Sequence, residues 1–173
     1  MLFRSTKQFI QSGNVGDSTC FVKKFNHNNL INNNNINDND SKQKEYQIIT
    51  LSQDHKVSSE VEQERLSTTI PTFIKGQQRI NGISVSRCLG NHFVKNENVG
   101  MIATPYISEC VELESGDEII LCSDGIWDVI SPEDAFKIME MNDINNVPNE
   151  LMKVAMSNVN CRDNITVICI KIK

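Results

Sequence analysis

The stretch Glu118-Ile-Ile-Leu-Cys-Ser-Asp-Gly-Ile-Trp-Asp-Val-Ile-Ser-Pro-Glu-Asp-Ala135 passes from strand to carboxylate-bearing turn to capped helix within a few residues. Ile119 to Cys122 is a continuous apolar run of strand length, as expected of a strand buried on both faces, and Asp124-Gly125 is a turn signal that ends it. The next helix is announced by Ser131 as its cap and by Pro132, which suits the first helical position where no amide donor is needed. Glu133 and Asp134 then fall in the first turn, where the helix dipole favours negative charge. Between strand and helix stand Asp124 and Asp128, four residues apart around Trp127. A carboxylate at a strand's end is fixed in space as one on a surface loop is not. That leaves two readings open, plain turn chemistry and a metal ligand.

The 173 residues suit one domain, 1–173, large enough to bury a sizeable core. A net charge of −5 provides no basic stripe for a phosphate backbone, so nucleic acid is not an expected partner. No apolar run approaches the roughly 20 residues of a membrane span, and 1–12 lacks the apolar centre of a secretory signal. No membrane partner is expected either. Cys20, Cys88, Cys110, Cys122, Cys161 and Cys169 form no Cys-x-x-Cys pair, and several lie in apolar strand patterns where a thiol acts as a small hydrophobe. They read as reduced, in an intracellular protein of cytoplasm and/or nucleus.

Upstream, Phe9 and Ile10 begin a strand that runs into Gly13-Asn-Val-Gly-Asp-Ser18, and Thr19 to Phe25 reads as another, rich in β-formers. Asp17 sits at the turn between them. Asn26 to Lys44 is dominated by Asn and is too polar to offset its ordering entropy, so 26–44 reads as a disordered insertion. The chain returns as a strand over Tyr46 to Leu51. His55 falls in a polar turn and reads as structural. Ser59 with Glu62 is a capping-box pattern for a short helix through Leu66. Asn81-Gly82 predicts a hairpin over Arg79 to Val85. Around Pro105, Ile102 to Leu113 offers short strands. Asn146 to Asn158 carries a second helix with Leu151, Val154 and Ala155 on one face, and Asp163 opens a β-branched C-terminal strand.

Four aspartates, Asp17, Asp124, Asp128 and Asp163, thus stand at strand ends or adjoining turns. Two carboxylates within about 4 Å repel by roughly 4 kcal/mol at an effective dielectric of 20, so such a cluster needs a cation or a shared proton. Oxygen-only ligation points to Mg²⁺ or Mn²⁺ rather than zinc.

These segments resemble the metal-dependent protein serine/threonine phosphatases of the PPM, or type 2C, family. The resemblance runs in order through Gly13 to Ser18, Leu51-Ser-Gln-Asp-His-Lys56, Glu62-Gln-Glu-Arg-Leu66, Arg79-Ile-Asn-Gly82, Val85-Ser-Arg87 with Gly90, Cys122 to Val129 and Arg162-Asp-Asn-Ile-Thr-Val167. Seven ordered motifs set aside a structural β-protein with incidental Asp turns. The resemblance implies an α+β fold, a β-sandwich of two antiparallel sheets flanked by helices, with its N-terminal part missing here. It further implies a binuclear Mg²⁺ or Mn²⁺ centre to which Asp124 and Asp163 are ligands, Asp17 and Asp128 holding a looser cation. Phosphoserine and phosphothreonine proteins are the implied partners in signalling.

Three departures bear on activity. The family's Asp-Gly-His-Gly-Gly motif and its phosphate-gripping arginine have no counterpart in the 173 residues, so no catalytic residue is assigned. Asn91 stands where the family has Asp. The expected function is a truncated phosphatase of weak or no activity, and the alternative is an inactive pseudophosphatase that binds phosphoproteins as a regulator.

Replacing 26–44 by Asn-Gly is expected to change stability by no more than about 1–2 kcal/mol, because closure entropy grows only slowly with loop length. Urea titration of both forms checks this, and a cooperative loss of folding would show that the segment belongs to the core.

Overall fold

The computed structural model describes residues 8–26 and 46–173. The insertion expected over 26–44 lies outside these, apart from Asn26. Of the described residues, 8–10, 20–26, 46–50 and 110–173 form one compact unit, and 11–19 with 51–109 form a second. The fold is α+β with antiparallel strand pairs, as the sequence implied.

The first unit is built on a four-stranded sheet of order β4-β3-β7-β8, where β3 is Thr19–Phe25, β4 Tyr46–Thr50, β7 Glu118–Cys122 and β8 Val167–Lys171. β3 pairs antiparallel with β4 from Phe21↔Thr50 to Phe25↔Tyr46, and β7 with β8 from Glu118↔Lys171 to Cys122↔Val167. A separate ribbon joins β1 (Gln8–Ile10) to β6 (Val111–Leu113). β7 is an inner strand of this sheet with Ile119, Ile120 and Cys122 buried, but Leu121 is 38% exposed, so the apolar run is not buried on both faces throughout as expected.

Helices α4 (Pro132–Met141) and α5 (Val147–Ser157) complete the core. α4 begins as the sequence announces, Ser131 Oγ accepting from the Asp134 amide at 3.2 Å with Pro132 in the first turn. On α5 the expectation is corrected. Val147, Leu151 and Ala155 are buried, whereas Val154 and Met156 are 47% and 71% exposed. Spacings of four keep the buried residues on one stripe, and Val154, three beyond Leu151, falls on its other flank.

Charge is buried in this core. Lys23 of β3 is 1% exposed, with its ammonium 4.7 Å from the Phe25 ring centroid, 4.5 Å from Tyr46 and 5.9 Å from Phe136. Glu140 of α4 accepts a hydrogen bond from it, and Glu118 of β7 lies 3.6 Å away. Asp117, also buried, accepts from the amides of Phe25 (3.1 Å) and Glu114 (2.9 Å), tying the turn before β7 to the end of β3. Burial pushes the thiols of Cys20 and Cys169 up to about 11 and that of Cys122 to about 12, so all three stay protonated at neutral pH and pack as small hydrophobes.

The second unit contains the short pair β2 (Gly13–Asn14) and β5 (Tyr106–Ile107), helix α1 (Glu60–Thr69) and helix α2 (His92–Asn96). The hairpin expected over 79–85 contracts to one bridge, Ile80↔Ile83, closed by mutual backbone bonds of 2.9 and 2.8 Å. Its turn is as anticipated, with Asn81 at φ 48° and Gly82 at φ 83°. Helix α1 runs three residues past Leu66, and the capping box does not form. Ser59 Oγ donates instead to the Asp54 carbonyl at 3.1 Å. Glu62, its expected partner, is fully buried. It accepts from Arg65 Nε at 2.8 Å, Ser86 Oγ at 2.6 Å and Arg87 Nε at 3.0 Å. Among the described residues no helix is long and apolar enough to cross a membrane.

Burial raises the Glu62 carboxyl, but bonds from Arg87, Arg65 and Ser86 outweigh it and hold the pKa at about 2. Because the folded value lies below the ordinary 4.5, the stabilisation is complete above about pH 4.5 and is lost as pH falls towards 2. At neutral pH it amounts to about 3 kcal/mol. Glu62→Gln is expected to destabilise the chain by about that much and to flatten the acid limb of stability between pH 5 and about pH 2.5. Denaturant titrations across this range provide the check, and an unchanged acid limb in the variant would assign it to other carboxylates.

Candidate metal centre

The strand β7 does not end in a simple turn. Ser123 leaves the ladder with extended backbone and caps a four-residue helix, α3 (Asp124–Trp127). Asp124 is therefore its first residue, and Asp128 follows one turn later, its amide donating to the Asp124 carbonyl at 2.8 Å. What allows this is Gly125. A Cβ there would lie 2.4 Å from the Asn164 carbonyl oxygen and 3.3 Å from that of Asp163, so only glycine lets the two backbones touch.

Ser123 holds the same two segments together. Its amide donates to Thr166 O at 3.1 Å, and its hydroxyl donates to Asn164 O at 2.9 Å while accepting from the Thr166 amide at 3.0 Å. Residues 163–166 are thereby wrapped around Ser123 before the ladder resumes. This corrects the expectation that Asp163 opens the strand, since β8 begins only at Val167. The Asp163 carboxylate accepts from the Asn164 amide at 2.7 Å and is exposed. Trp127, the last residue of α3, anchors it, its Nε1 donating to Cys122 O at 3.1 Å and its ring meeting Phe21 edge-on with centroids 4.9 Å apart.

Three of the four sequence-predicted aspartates, Asp124, Asp128 and Asp163, therefore stand on adjoining segments of the first unit. Asp17 belongs to the second unit, where His55 holds its turn. Gly16 N donates to His55 Nδ1 and His55 N donates to Gly16 O, both at 3.2 Å. Desolvation, then the charge of Arg87, lowers the pKa of this fully buried imidazole, which keeps it neutral and able to accept at Nδ1. Sequence reasoning treated His55 as structural and passed over Ser123. The signal for Ser123 was its place between a buried strand and Asp-Gly, where a hydroxyl can bond to both sides of a turn.

Among the described residues, no three His, Cys, Asp or Glu side chains form a group closed enough to surround a metal ion. The donor chemistry at the 124–128 and 163 corner is all oxygen, and the Gly125 contact aligns its two carboxylate-bearing segments. Oxygen-only donors are the kind that a hard cation such as Mg²⁺ or Mn²⁺ takes.

Antiparallel strand pairs packed with helices define the class of fold as α+β. The chain belongs to the protein phosphatase 2C family, whose model matches residues 1–165. A probable protein phosphatase of Dictyostelium discoideum is 36% identical over 172 residues, covering 96% of this chain and 16% of the relative. Protein phosphatase 2C homolog 1 of Saccharomyces cerevisiae is 34% identical over 125 residues, covering 70% of this chain and 42% of that protein. Among solved structures, a phosphatase of Toxoplasma gondii superposes with TM-score 0.67 at 19% identity, covering 94% of this chain and 48% of its own. A Caenorhabditis elegans sex-determining protein gives 0.64 at 21%, covering 93% and 36%. The chain thus spans less than half the length of each of these relatives.

Gly125→Ala is expected to cost about 1–3 kcal/mol, because the clash is with backbone that cannot step aside as a flexible side chain would. Thermal melts report it. A melting temperature equal to that of the parent would mean that the 163–164 segment yields freely and does not fix the corner.

Proposed function

We propose that this chain serves Mg²⁺- or Mn²⁺-dependent hydrolysis of phosphoserine and phosphothreonine esters in proteins. In this reading Asp124 and Asp163 are the carboxylates that bind the cation and Asp128 assists. The observation that carries it is the backbone contact at Gly125, which keeps Asp124 beside the 163–164 segment. Family membership supplies the reaction class, and a related PstP catalytic domain was solved with two manganese ions. Asp17 enters only through the family resemblance.

A divalent cation bound here would acidify a water and offset charge on phosphoryl oxygens. The chain's own part is positional. Ser123 and Gly125 set the spacing of the two carboxylate segments, and Trp127 fixes α3 against β3 so that Asp124 and Asp128 keep one orientation. The 173 residues supply neither the bridging Asp-Gly-His-Gly-Gly carboxylate nor the phosphate-gripping arginine that the resemblance calls for. Positioning and charge stabilisation each contribute several kcal/mol at such sites, so these residues alone are expected to turn over more than about a thousandfold below a typical enzyme.

The second reading, a regulator that binds phosphoproteins without hydrolysing them, draws on Asn91. This residue caps α2 with left-handed backbone at φ 57°, a conformation asparagine tolerates well, and it places a neutral amide where the family has a carboxylate.

The test is Mn²⁺-dependent hydrolysis of a phosphothreonine peptide by the purified chain, with Asp124→Asn alongside. Weak Mn²⁺ binding that Asp124→Asn weakens further, with turnover depressed as above, is the expected result. Rates near those of ordinary enzymes, abolished by Asp124→Asn, would show that these residues form a working centre by themselves. Phosphopeptide binding with no turnover would favour the regulator.

A further inference from the structure

Within the second unit, the segments 70–81 and 97–99 enclose an open cleft of about 200 Å³ that the hydrolytic reading does not use. This is below the roughly 300–1,000 Å³ of a site for a drug-sized ligand and suits a single side chain. Its lining combines the partly exposed Ile70, Phe73 and Val99 and the buried Ile80 with amide side chains and the carboxylate of Glu97. The rim is held in place. Asn81 Nδ2 donates to Glu97 Oε2, and Asn81 and Asn98, on opposite segments, both adopt left-handed backbone at φ 48° and 54°.

Glu97 is the one charged residue lining the cleft among the described residues. The cations of the flanking segments are engaged elsewhere. Lys75 pairs with Glu64 at 3.2 Å, Arg79 Nη1 donates to Gly82 O at 2.8 Å, and Lys95 donates to Cys88 O at 2.6 Å.

We propose that this cleft binds the arginine side chain of a peptide or protein partner. Its aliphatic stem would lie along Ile70 and Val99, and its guanidinium would meet Glu97 and the neighbouring amides. Arginine matches the lining in each respect. Its stem is apolar, its planar head has five donors and no acceptor, and it is drawn to an aromatic ring such as Phe73. A carboxylate flanked by amide oxygens accepts several of those donors at once. The chain already uses this chemistry internally, holding the Lys23 ammonium among Phe25, Tyr46 and two glutamates.

The experiment titrates the isotope-labelled full chain at low ionic strength with acetyl-Gly-Arg-Gly-amide and follows backbone amide shifts. In parallel it uses peptides with citrulline or lysine in place of arginine. Citrulline keeps the shape and removes the charge. The expected result is that arginine shifts the amides of 70–81 and 97–99, with citrulline about tenfold weaker and lysine intermediate. Glu97→Gln should bring arginine down to the citrulline level. Equal binding of arginine and citrulline, shifts confined to other residues, or lysine equal to arginine would overturn the proposal. The citrulline comparison needs no altered protein, so it decides the matter even if Glu97→Gln disturbs the rim. Retained arginine affinity in a folded Glu97→Gln variant would overturn it as well.

Discussion

Two backbones approach at Gly125 more closely than any side chain allows, and the candidate metal corner follows from that approach. The contact decides where Asp124 stands relative to the 163–166 segment, and the hydroxyl of Ser123 closes it with bonds in both directions. Backbone contact thus decides the placing of both carboxylate-bearing segments. Glu62, Asp117 and Glu118 differ in being buried, with cations or backbone amides of the chain beside them.

Those buried charges organise each unit separately. In the first, the Lys23 ammonium joins β3 to α4 through Glu140, and Lys171 at the end of β8 reaches Glu118 from the neighbouring strand at 2.9 Å. In the second, the buried cluster of Val57, Leu66 and Ile80 is small, and the Glu62 network carries much of the connection between α1 and the segment around Arg87. Removing one partner of such a buried pair is expensive because the other is left without water or counter-charge.

How much was legible in the sequence follows from the range of each interaction. Periodicity and capping act over a few residues, so β7 with its apolar run and α4 with Ser131 and Pro132 stood out. The Asn81-Gly82 turn was equally local. The Ser59-Glu62 pattern misled because local spacing cannot show that Arg87, 25 residues further on, competes for the same carboxylate. The reading of Asp-Gly as a turn at 124–125 failed for a related reason. Glycine there answers a steric demand made by residue 164, and nothing near 125 in the chain announces it. The carboxylates of the candidate site were found by type and by resemblance, and their supports, Ser123 and Gly125, emerged only with the tertiary contacts.

The end of β3 and the start of β4 meet at Phe25↔Tyr46, and the same two rings flank the Lys23 ammonium. A slip of one residue would turn one ring to the opposite face and take from the buried cation one of the three rings around it. Strand alignment at this junction is thus written into three side chains.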